Sequence, residues 1–154
     1  MVSTASVGIA RGATVGDFVA RRPTTTRWSD NDMYGHLNNA VYYQLFDAAI
    51  NGWIMNETSI DPLTAEALGV VVESGCQYFS QLSFPQTLLV GLRISKLGRS
   101  SVTYDLAIFP EKAADTDPIA ARGRWVHVYV DRSSRRPVPI PAHLRQLFET
   151  VTTD

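Results

Sequence analysis

Asp30 and Asp32 stand one residue apart, and Gly35, His36, Asn38 and Asn39 follow within seven positions of Asp32. Carboxylates this close to a histidine suit nucleophilic or general-base attack on a polarised carbonyl. The same residue types also build turns, because aspartate and asparagine side chains accept hydrogen bonds from nearby backbone amides. Asp30 reads as the carboxylate that closes the loop or supports its neighbour, and Asp32 as either a turn aspartate or the reactive group. Two carboxylates at this spacing can raise one pKa. His36, four residues from Asp32 and within reach of a hydrogen bond to it, reads as a loop organiser that can also touch substrate, with general base as its other role. Asn38 can cap a helix or position water.

What must hold these groups is the segment that follows. From Val41 to Met55 the polar residues Gln44, Asp47 and Asn51 share one narrow stripe at helical spacing, and the rest is apolar or small. A helix apolar around most of its circumference requires burial on most sides. It is too short and too interrupted to span a membrane. Ala48, Ala49 and Gly52 allow a neighbouring backbone to come close. The pattern predicts a central core helix with a sheet around it, capped by Asn38 or Asn39. The first amides of such a helix lack intrahelical acceptors and carry the positive end of its dipole. They attract an anion, or a carbonyl oxygen that gains negative charge during reaction.

The remaining elements are short and mostly extended. Residues 18–28 hold the β-branched run Thr24-Thr25-Thr26, and Pro23 confines that strand to an edge or a strand start. Leu68 to Ser80 reads as a strand, half-buried or buried around Val70-Val71-Val72, with Gly75 as a possible bulge. Thr87–Leu97 and Ser101–Phe109 alternate at period two and form a hairpin turned at Gly98. Ile119–Val130 is the last strand. Pro141 opens a short amphipathic helix carrying Leu144, Leu147, Phe148 and Val151. One strand, one long helix and four further strands make an α+β domain with an antiparallel sheet wrapped around one long central helix. Such a sheet leaves edge strands that a second protomer can cover.

The 154 residues fit one domain, expected over 17–154 behind a loose tail at 1–16. A chain of this size buries roughly 70% of its unfolded surface. A net charge of −1 offers no case for nucleic acid or an anionic membrane. A single cysteine, Cys76, excludes an internal disulfide and reads as a small buried hydrophobe. With no apolar leader segment, the expected location is cytoplasmic. The histidines His36, His127 and His143 are too scattered to indicate a metal site, and no cofactor is expected. Glu73 is a charge among valines: it either faces solvent by alternation or has a functional reason to be there. Arg93, Lys96 and Arg99 form one basic cluster, and Arg132, Arg135 and Arg136 another. These are ordinary surface charge or a phosphate-binding patch.

The run Asp30-Asn31-Asp32-Met33-Tyr34-Gly35-His36-Leu37-Asn38-Asn39-Ala40-Val41-Tyr42 resembles the signature of hot-dog-fold acyl-CoA thioesterases of the 4-hydroxybenzoyl-CoA thioesterase family. The likeness continues through Val71-Val72-Glu73-Ser74, Leu97-Gly98-Arg99-Ser100-Ser101 and Pro139-Ile140-Pro141, over roughly residues 17–148. Where many relatives carry Glu and Arg on the central helix, this chain has Asp47 and Ile50. The resemblance implies hydrolysis of an acyl-CoA or acyl-carrier-protein thioester. In it, Asp32 is the catalytic carboxylate and the Asn39 amide polarises the carbonyl. It further implies homodimers or homotetramers with sites at subunit interfaces, where Glu73 can reach a neighbour's site. The acyl group is then expected beside Tyr34, Tyr42 or Phe46, and the nucleotide end of coenzyme A at Arg99 and Arg135. A non-catalytic acyl-thioester-binding module and an enoyl-thioester hydratase are the alternatives on this fold. The hydratase pattern Asp-x-Asn-Pro-x-His is absent, and a pure binder needs no carboxylate beside the carbonyl.

Overall fold

The computed structural model describes residues 13–153. Five strands, β1 (Ala20–Thr25), β2 (Ala67–Tyr78), β3 (Thr87–Leu97), β4 (Ser101–Pro110) and β5 (Ala121–Asp131), form one antiparallel sheet in the order β1-β3-β4-β5-β2. The long helix α1 (Val41–Glu57) lies against one face, and the short α2 (Ala142–Glu149) closes one end of the core. This is the hot-dog arrangement that the resemblance implied.

Alternation decides the strand faces. Leu88, Val90, Leu92 and Ile94 of β3 are buried under the helix with Val102, Tyr104, Leu106 and Ile108 of β4. Tyr42, Phe46, Ala49, Ile50, Trp53 and Ile54 line the buried side of α1, and each large apolar side chain so buried contributes about 1.5–3 kcal/mol. Phe46 packs edge-on to Trp125 at 5.6 Å. It can do so because β5 passes beneath it at Gly123, where a Cβ would lie 2.8 Å from the ring. The helix stops at Thr58, whose hydroxyl donates to the Ile54 carbonyl at 2.7 Å. From α2, Phe148 enters the core among Trp53, Tyr104 and Tyr129.

Several expectations change. Arg27 and Trp28 do not extend β1; residues Trp28–Asp30 form a 3-10 turn because the Asp30 carboxylate draws the Arg27 amide back onto itself. The helix is not capped by an asparagine side chain: its N-cap is Ala40. Pro141 precedes α2 as its N-cap rather than opening it. The bulge of β2 falls between Val71 and Glu73, where the register against β5 shifts, and not at Gly75. Most importantly, β2 is not buried. It is the sheet edge, with Val71 48% and Val72 59% exposed. The sheet's other face also has a cover that periodicity does not reveal. Ala13, Val15 and Phe18 pack there on Ala107, Phe109 and Ile119. Ala13 and Val15 belong to the stretch 1–16 read as tail, whose residues 1–12 lie outside the described residues.

Candidate active site

The loop between the 3-10 turn and α1 is tied down at several points. Asp30 is 2% exposed. Its carboxylate accepts from the Arg27 backbone amide at 2.8 Å and from the Arg27 guanidinium at 3.0 and 3.2 Å. Its carbonyl accepts from the Asn38 amide at 2.9 Å. Asn31 holds the loop to the segment before β3, its side-chain oxygen accepting from the Phe84 amide at 2.9 Å. The Leu37 amide donates to the Leu82 carbonyl at 2.8 Å. Asp30 is thus the closing carboxylate.

Asp32 sits differently. It is half-buried, and its Oδ1 accepts from the Tyr34 amide at 2.9 Å and the His36 amide at 3.5 Å. Among the described residues no donor reaches its Oδ2. The Asp32 amide donates to the His36 carbonyl at 2.8 Å, and Gly35 makes the tight reversal with a φ of +81°, a conformation that favours glycine. His36 organises the loop through its backbone, and its ring makes no hydrogen bond to Asp32.

The approach to the helix supplies the complementary group. Asn38 turns its side-chain oxygen onto the Ala40 amide at 2.9 Å, and its carbonyl accepts from the Val41 amide at 2.9 Å. Between them, the Asn39 amide donates to no described residue. It stands two residues before the helix, in the turn that leads into it, rather than in the first helical turn. Asn39 is anchored through the next peptide unit, because the Tyr78 hydroxyl donates to the Asn39 carbonyl at 2.9 Å. Tyr78 also stacks edge-on against buried Tyr42 at 4.9 Å. Burial first, and then Cys76, Tyr43 and Tyr42 nearby, push the Tyr78 phenol well up, so that it stays protonated as a donor.

Asp32, Tyr34, His36, Asn39 and Tyr42 line one open groove of about 370 Å³ with Tyr78 and Gln81. An unpaired amide and a carboxylate oxygen free of donors in one groove are the two parts needed to polarise a carbonyl and attack it. Tyr78 and Gln81 were not legible as site residues, since Tyr78, the last residue of β2, and Gln81, just beyond it, reach the groove only through the placement of that strand. Asn38 faces outward beside it, and Tyr34 is largely exposed.

The other expected residues lie elsewhere in the chain. Glu73 is on the β2 edge, paired with Arg124 at 3.2 Å. Arg99 is exposed in the β3–β4 turn, and Arg135, exposed with a φ of +62°, follows β5. Both lie at the end of the sheet where β2 begins, whereas the groove lies where β2 ends. Two members of the basic clusters have partners: Arg93 pairs with Asp105 at 2.8 Å, and Arg132 donates to the carbonyls of Pro62 and Ala65. Burial pushes the Cys76 thiol up to about 11, which makes it a poor nucleophile at neutral pH.

The profile of the thioesterase-like superfamily matches residues 26–148, the loop, α1, β2 to β5 and all but the last residue of α2. Among solved structures, the PA5185 protein from Pseudomonas aeruginosa strain PAO1 is 42% identical over 92% of this chain and 96% of its own, with a TM-score of 0.85. The PA2801 protein from Pseudomonas aeruginosa is 28% identical over 84% of this chain and 98% of its own, with a TM-score of 0.77. A 1,4-dihydroxy-2-naphthoyl-CoA thioesterase from Synechocystis, Slr0204, shares the fold at 17% identity, with a TM-score of 0.73 over 83% of this chain and 93% of its own. No curated protein matches.

Proposed function

This chain belongs to the thioesterase-like superfamily and is a hot-dog thioester hydrolase; on that premise we propose that it hydrolyses acyl-CoA thioesters with Asp32 as the reactive carboxylate. The observation that carries this reading is the pairing, in one groove, of an Asp32 oxygen free of donors with the unpartnered Asn39 amide. The thioester carbonyl oxygen would accept from the amide of Asn39, a residue that Tyr78 anchors through its carbonyl. Asp32 would then attack the carbonyl carbon and expel the thiolate to give an anhydride that water opens to the free acid, or take a proton from water that attacks the carbonyl directly. Coenzyme A leaves as a thiolate, a good leaving group that needs little protonation. Tyr42 and Tyr34 would flank the acyl group and His36 its edge.

The exposed β2 edge supports assembly. Its unpaired amides and carbonyls and its exposed Val71 and Val72 suit pairing with a second copy. A two-fold pairing of identical strands is antiparallel and isologous. Along the whole of β2 it sets the first residues, beginning at Ala67, against the partner's last residues, ending at Tyr78. Arg135 and Arg99, remote from the groove in their own chain, would then approach the partner's groove, where they could hold the phosphates of coenzyme A. Glu73 would sit at the centre of the pairing. The intermediate burial of free Cys76 fits a reducing compartment, the cytoplasm.

The test is thiol release from a panel of acyl-CoAs by wild type and Asp32→Asn. Asparagine keeps the oxygen that the Tyr34 amide needs, so the variant should fold like wild type and lose about 10²–10⁴-fold in kcat. A folded Asp32→Asn enzyme with the wild-type rate would overturn the assignment. Binding of acyl-CoA without release by wild type would instead favour the binding module.

A further inference from the structure

Toward the far end of α1 a second concavity, of about 430 Å³, shares no residue with the groove around Asp32. Its walls are mostly apolar, with Ile54 from α1, Ile60 from the connection, Leu68 from β2 and Leu144 from α2. That size and lining are typical of small-molecule sites, which combine apolar walls with a few placed polar groups.

Here the placed group is His127. It lies on the helix-facing side of β5 and is 2% exposed, yet its Nε2 is buried without a hydrogen-bond partner. The Tyr104 hydroxyl is likewise buried and unpaired, its ring 5.5 Å from the imidazole. Gly69 lines the cavity beside the imidazole, so the nitrogen on that wall is Nδ1, while Nε2 lies sealed on the Tyr104 side of the ring. A Cβ at that position would stand 3.3 Å from the His127 Nδ1 and 3.1 Å from the Tyr129 ring. Leaving a buried donor or acceptor unpaired is unfavourable, and a leucine would occupy the same place without that cost. Burial, opposed by the charge of Asp47, lowers the His127 pKa and keeps the ring neutral, with one nitrogen to donate and one to accept.

We propose that this cavity receives the distal end of the acyl group and that His127 hydrogen-bonds a hydroxyl or carbonyl oxygen there, giving a preference for acyl chains that end in an oxygen function. The proposal rests on the thioester-hydrolase reading above. Pairing of two β2 edges would bring the cavity, lined by Ala67 and Leu68, beside the partner's groove, lined by Tyr78. Within one chain Tyr42 of the groove and Asn51 of the cavity stand nine positions apart on α1, about 14 Å of helix.

Thiol release from ω-hydroxydecanoyl-CoA and decanoyl-CoA, by wild type and His127→Leu, tests it. Wild type should prefer the hydroxyacyl substrate by about tenfold in kcat/KM, the effect of one well-made hydrogen bond. His127→Leu should lose that preference, the ratio of the two kcat/KM values falling to about one. Its Tm should not fall, since the change removes an unpaired polar group. Equal use of both substrates by wild type would overturn the proposal, as would an equal loss on both in the variant, which marks a structural role. Calorimetric binding of ω-hydroxydecanoate and decanoate separates the two readings. Selective binding of the hydroxy acid that vanishes in His127→Leu, in a protein that cleaves no thioester, would keep the cavity and discard the hydrolase assignment. Thioester cleavage without discrimination would do the reverse.

Discussion

Asp30 and Asp32 are the same residue type two positions apart, yet their surroundings make them different groups. Asp30 is enclosed by Arg27, which supplies one backbone and two side-chain donors. Asp32 is tied through one oxygen only. Removing the Asp30 carboxylate leaves the Arg27 amide without its acceptor, so Asp30→Ala should cost about 1–3 kcal/mol. Thermal unfolding should register this as a Tm drop of several degrees, with turnover falling because the loop moves. Asp32→Asn should show the opposite signature, lost turnover at an unchanged Tm, and an unaltered Tm for Asp30→Ala would remove Asp30 from the loop's support. The distinction was partly legible. Residue types and spacing indicated Asp30 as the closing carboxylate, because turn chemistry acts over two to four residues, whereas for Asp32 they left a turn role and a reactive one open and only the family resemblance favoured the second. Tyr78 was not legible, because it meets Asn39 from 39 residues away.

At the scale of elements, the helix is held by what β5 lacks. Gly123 lets the Phe46 ring rest on the strand, where a Cβ would meet it at 2.8 and 2.9 Å. Gly123→Ala must therefore push α1 outward or rotate Phe46, at about 1–3 kcal/mol, as overpacking of a tight core does. Chemical denaturation should show a lower midpoint with an unchanged slope; an unchanged midpoint would mean that Phe46 relaxes freely. Because the loop leads directly into α1, the same change should also weaken turnover. The helix itself and the β3–β4 hairpin followed from hydrophobic period alone. The helix cap did not, because Asn38 spends its side-chain oxygen on the Ala40 amide in the turn before the helix. An N-cap preference and an asparagine turn use the same atom, and only the backbone path selects between them.

For the whole molecule, the exposed edge is the feature that asks for a partner. The twelve-residue β2 pairs with β5 on one side only, and no helix among the described residues is long and apolar enough to cross a membrane. If two copies join along β2, then Val72→Lys, at the bulge and 59% exposed, should shift sedimentation to the monomer by placing like charges across a two-fold axis. Turnover should fall with it, since Arg99 and Arg135 would no longer stand near a groove. A monomeric wild type would reject the pairing outright. Read alone, the chain determined those features whose causes are local: a polar loop ahead of an apolar helix, an alternating hairpin, a proline-marked edge strand, and a motif that specifies the family. The tertiary structure alone decided that the valines of β2 lie at an edge, that Ala13, Val15 and Phe18 cover the second face of the sheet, and that His127, buried, lines a cavity beside Gly69. Periodicity shows which side chains share a face. Strand order, which pairs β2 with β5 across some 50 residues of chain, decides what lies against that face.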